Sequence, residues 1–73
     1  MLRVDNVGDE AALEAVRDAL DRLGVDYRFA RAEPIEDRFP QTAYFYVPDS
    51  AADAVDDAMQ ELSGEHGLDA KTL

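Results

Sequence analysis

The chain has no cysteine and no tryptophan, and only one histidine, one lysine and one isoleucine. Without cysteine, no disulfide can hold the fold and no thiolate can hold a metal. Long apolar runs are also missing. No stretch approaches the ~18 residues of a membrane span. The amino-terminal MLRVDNVGDE carries charge where a secretory leader needs an apolar run. These features lead to the expectation of a cytoplasmic protein without a membrane segment. With 73 residues, the chain is long enough for a single domain, 1–73, and too short for a two-lobed enzyme with a deep cleft. A domain of this size buries only about 60% of the surface its unfolded chain exposes.

Positive charge is scarce: Lys71 and six arginines stand against 17 acidic residues, for a formal net charge of −10. Aspartate outnumbers glutamate, eleven to six, and alanine occurs twelve times. Abundant Asp and Ala with little Lys and Ile is the composition of proteins from salt-loaded cytoplasms. Short carboxylates keep the surface hydrated, and near 1 M salt the screening length falls to about 3 Å, so neighbouring carboxylates barely repel. Disorder does not fit, because apolar residues make up 47% of the chain and recur periodically.

Leu2 and Val4 alternate with Arg3 and Asp5, which predicts a short strand. Asn6-Val7-Gly8-Asp9 reads as a turn, with Asp9 or Asn6 placed to cap a helix. Leu13, Val16, Leu20 and Leu23 recur at helical spacing, and Gly24 is suited to end that helix. Val25, Tyr27 and Phe29 alternate in a second strand that Pro34 would end. A charged loop follows from Ile35 to Gln41. Thr42-Ala43-Tyr44-Phe45-Tyr46-Val47 has the strongest strand composition in the chain. Ser50 with Asp53 matches a capping box. Val55, Ala58, Met59 and Leu62 follow at i, i+3, i+4 and i+7, and Gly64 is the expected stop. Leu68 to Leu73 has room for a short last strand. The order β-α-β-β-α, with a possible final β, predicts an α+β fold. It would be a ferredoxin-like βαββα(β) sandwich, one antiparallel sheet with both helices on one face.

Three stretches carry a family resemblance. They are the helix from Leu13 into Gly24-Val25-Asp26, the strand running on to Pro34, and Thr42-Ala43-Tyr44-Phe45-Tyr46-Val47-Pro48-Asp49 with its helix and the ending Lys71-Thr72-Leu73. In size, element order and these segments the chain resembles the ACT domain, a regulatory module. The resemblance implies side-by-side pairing and a small effector, often an amino acid, bound at a dimer interface. ACT domains usually place a glycine just before the first helix. Here that position holds Ala11, and Asp9 and Glu10 set negative charge where an effector carboxylate would dock.

Catalytic chemistry has few candidates. His66 sits between Glu65 and Gly67; it has the chemistry of a general base or a single metal ligand, but a polar residue at a helix C-terminus, where partial positive charge is favourable, suits it better. Asp53, Asp57 and Glu61 form a helical stripe that spreads its carboxylates along an axis, whereas a tight cation site needs converging ligands. A non-enzymatic protein with no metal site and no cofactor is expected.

The sheet offers more. Ala43, Phe45 and Val47 share one parity of the third strand, and Tyr44 and Tyr46 share the other. If the first set meets the helices, both tyrosines lie on the uncovered face, and Arg3 and Arg28 have the parity to join them. Tyr and Arg are enriched at protein interfaces, so Arg3, Arg28, Tyr44 and Tyr46 are the candidate interface or ligand-binding residues of a homodimer that uses this face or the adjoining sheet edge, or of a module binding a small effector or protein partner. The alternative is a platform for single-stranded nucleic acid, with bases stacked on the tyrosines. The overall negative charge argues against it.

Overall fold

The computed structural model describes residues 1–33 and 38–73; Pro34 and the first part of the expected loop, residues 35–37, lie outside the described residues. The elements are β1 (Leu2–Val7), α1 (Glu10–Arg22), β2 (Arg28–Glu33), β3 (Gln41–Tyr46), a 3-10 turn (Asp49–Ala51), α2 (Ala52–His66) and β4 (Asp69–Thr72). The four strands form one sheet in the order β2-β3-β1-β4, and every neighbouring pair is antiparallel. This is the expected ferredoxin-like α+β arrangement, with the last strand formed.

The core lies between the sheet and the two helices. Leu2, Val4, Val7, Ala43 and Phe45 from the strands meet Ala12, Val16 and Leu20 of α1 and Val55 and Met59 of α2, all buried. Phe45 is the largest of these side chains, and the rings of Tyr27 and Phe29 contact it edge-on at centroid distances of 6.0 and 5.4 Å. The expected inward set of Val25, Tyr27, Phe29 and Val47 packs around this centre, although β2 does not begin until Arg28. Phe29 stays 38% exposed, with the Arg17 guanidinium of α1 lying over its ring, 5.2 Å from the centroid.

Local chemistry explains the helix ends and corrects three expectations. Asp9 is the N-cap of α1, accepting from the Ala12 N–H at 2.8 Å. The expected Ser50 cap is not used. The 3-10 turn carries the chain one turn further before α2 starts, so Ala51 takes the N-cap position with no side-chain bond. Gly64 does not stop α2 either. The helix runs through it to His66 and ends where Gly67 adopts the left-handed conformation, φ 69°. Asn6 and Val7 are strand rather than turn. An extra residue in β1 between Val4 and Val7, where Asn6 is left-handed at φ 59°, returns Val7 to the core. Among the described residues no helix is long and apolar enough to cross a membrane.

Candidate interface on the uncovered sheet face

The face of the sheet away from the helices is built by parity. Leu2 and Val4 point inward, so Arg3 and Asp5 point outward. On β3 the inward Gln41, Ala43 and Phe45 leave Thr42, Tyr44 and Tyr46 outward. The register then sets the neighbours. Arg3 is opposite Tyr44 on one side and Lys71 on the other, and Arg28 is opposite Tyr46. All four candidate residues therefore occupy this one face, as two neighbouring Arg–Tyr pairs.

Strict alternation along β2 would send Arg31 to the helix side with Phe29. The structure instead inserts Ala30 as an extra residue between Phe29 and Arg31, so Arg31 lies opposite Tyr44. Its guanidinium carbon stands 4.6 Å from the Tyr44 ring centroid, in the range of a cation–π contact. Arg31 is the residue that parity counting misses. The signal for it is the odd spacing of Phe29 and Ala32. Both pair with inward residues of β3, which is possible only with one residue too many between them.

The result is a banded surface. One row across the sheet reads Lys71, Arg3, Tyr44, Arg31, and the next reads Asp69, Asp5, Thr42, Glu33. The rows are stitched together along the strands. Arg3 Nε donates to Asp5 Oδ1 at 3.2 Å, Arg31 Nε lies 3.0 Å from Glu33 Oε1, and the Thr42 hydroxyl donates to Asp5 at 2.8 Å. The hydrogen bond to Asp5, reinforced by its negative charge, holds the Arg3 pKa above its ordinary value. A third band, on the other side of the basic row, sets Arg28 beside Tyr46 and then two apolar residues. The Leu73 N–H donates to the Met1 carbonyl at 2.8 Å, and continuing the register sets these two residues beside Tyr46. Tyr46 and Leu73 are 55% and 66% exposed.

The opposite side of the molecule differs in charge. Alpha-helix α2 carries five carboxylates and no Lys or Arg, and α1 carries four carboxylates with two arginines. Asp53, Asp57 and Glu61 are exposed, and no group of three or more His, Asp or Glu side chains among the described residues is disposed to hold a metal. His66 is the last residue of α2, with Nε2 4.0 Å from Glu65. It borders an open cleft of about 390 Å³ between the helices, floored by Ala15, Ala19, Ala58 and Leu62. No family model, curated protein or solved structure matches the chain.

Proposed function

We propose that the chain is a non-catalytic, salt-adapted, ACT-like module that works by docking through its uncovered sheet face. Self-association is the leading mode, and binding of a protein partner or small effector is the other. The observation that supports this most is the Lys71-Arg3-Tyr44-Arg31 row on a face that no helix among the described residues covers. An arginine stacked on a tyrosine presents a broad, partly desolvated surface at low entropic cost, which is what interface centres use. The exposed Tyr46 and Leu73 beside it add apolar area to bury. A base-stacking platform fits less well, because Arg31 already occupies one side of the Tyr44 ring.

Light scattering in about 1 M KCl tests this. The wild-type chain of 8.1 kDa is expected to show the mass of two copies. Replacing Tyr44 and Tyr46 together with serine is expected to return it to one. A wild-type mass of a single chain at every concentration overturns self-association.

A further inference from the structure

Across the strands the rows on the sheet face set like charges side by side, although Arg3 and Arg31 are each paired along their own strand with Asp5 and Glu33. Arg3 lies directly opposite Lys71, and the next outward pair along the same two strands sets Asp5 opposite Asp69. Like charges directly across a ladder destabilise a sheet, and exchanging Lys71 with Asp69 would turn both clashes into attractive pairs. The sequence has the composition to do this and does not. Beta-strand β2 continues the same bands, with Arg31 in the basic row and Glu33 in the acidic row.

From this banding we infer that the partner of the face is a second copy of the chain, laid face to face about a two-fold axis that runs parallel to the rows and between them. The inference rests on the docking role proposed above and specifies its partner. Rotation about that axis moves the basic row of one copy onto the acidic row of the other and leaves each strand over its own counterpart, antiparallel to it. Lys71 then faces Asp69 of the second copy, Arg3 faces Asp5, and Arg31 faces Glu33. One isologous contact thus forms each of these three charged pairs twice. Sheets stacked in this way sit about 10 Å apart with strands within about 30° of each other, a gap that Arg and Lys side chains reaching from both sides can close. The face measures about 20 by 20 Å from its strand number and length, or about 800 Å² for both copies together, which is the range of weak, transient contacts rather than stable ones. The dimer is therefore a reversible one, and its affinity is open to single charges.

Sedimentation equilibrium of four samples in about 0.15 M KCl, where the screening length is about 8 Å, tests the register: wild type, Lys71→Glu, Asp69→Lys, and an equimolar mixture of the two variants. Either substitution removes a like-charge pair across the strands and sets a new one along β4, between positions 69 and 71, so the two changes within the monomer offset each other, whereas the homodimer gains two like-charge contacts. Each variant is expected to associate about tenfold more weakly than wild type, and to melt within a few degrees of it at dilutions where all are monomeric. A side chain serving only the monomer's stability would shift the melt and leave association unchanged. In the mixture the two introduced charges, of opposite sign, face each other across the interface, and the unchanged Asp69 of one variant faces the unchanged Lys71 of the other. Association is therefore expected to recover to the wild-type level. If both variants lose association and the mixture does not regain it, the two-fold register is wrong, while the sheet face stands as the docking surface. If the variants associate as tightly as wild type, or wild type itself is monomeric throughout, the inference falls together with self-association through this face.

Discussion

The Asn6 side-chain amide donates to the Gly67 carbonyl at 2.9 Å, joining positions 61 residues apart, and both residues have left-handed backbones. The bond ties the irregular end of β1 to the turn that leads from α2 into β4. Asparagine tolerates the left-handed region better than other residues with a Cβ, and its amide supplies the bond. Asn6→Ala should therefore lose on both counts, by about 1–3 kcal/mol. Asn6→Gly should lose only the bond and cost less than alanine. Urea unfolding midpoints of the two variants check the order, and equal losses would count against the conformational part.

Phe45 fills the centre of the core beneath β3, fully buried, with two rings against it. Phe45→Ala should cost about 3–5 kcal/mol, a large part of the stability of so small a domain. Phe29→Ala should cost clearly less, because that ring is already partly in water. Circular dichroism during chemical unfolding gives both values. A Phe45 variant as stable as wild type would mean that the sheet faces are inverted.

Tyr27 introduces a pH dependence. Burial, and then its hydrogen bond to Asp21 with the nearby carboxylate charge, raises the phenol pKa above its ordinary value. The folded state thus holds this proton more tightly than the unfolded chain. Its contribution to stability is complete below the unfolded pKa of about 10 and is lost as pH rises from there through the raised folded value. Wild-type unfolding midpoints should fall above about pH 10. Tyr27→Phe should flatten part of that fall, relative to its own value at neutral pH. Parallel wild-type and variant slopes would remove Tyr27 as a contributor.

Salt should matter to the monomer. A net charge of −10 rests on a chain with a small core, and α2 concentrates five carboxylates without an internal cation. Raising KCl from dilute buffer to about 1 M shortens the range of their repulsion to about 3 Å. The melting temperature should climb steadily over that range. A flat response would end the salt-adapted reading while leaving the fold untouched.

Much of the fold was legible because its signals are repetitive. Alternation in β3 and the i, i+3, i+4 spacing of both helices each involve several residues, so a single irregular position does not hide them. Single-residue events were harder to read. The extra residues at Ala30 and before Val7 shift parity without any distinctive composition, and this concealed Arg31 from the candidate set. The helix ends show a related difficulty. Ser50 with Asp53 and Gly64 both match end signals, yet the true ends are set by the 3-10 turn and by the left-handed Gly67. That Arg3, Arg28, Tyr44 and Tyr46 share one face of the sheet was legible from parity, because β1 is regular through Asp5 and Arg28 precedes the irregular point of β2.

The extra residue at Ala30 also affects how the protein behaves when crowded. Beta-strand β2 is an outer strand of the sheet, and its margin, which pairs with no other strand among the described residues, would otherwise be a straight ladder of amides and carbonyls open to any other extended chain. The interruption at Ala30 breaks that ladder in the middle, and the charged Arg28, Arg31 and Glu33 flank it. Such margins are poor templates for strand addition. The fold thereby discourages runaway sheet growth and fibre formation along this border.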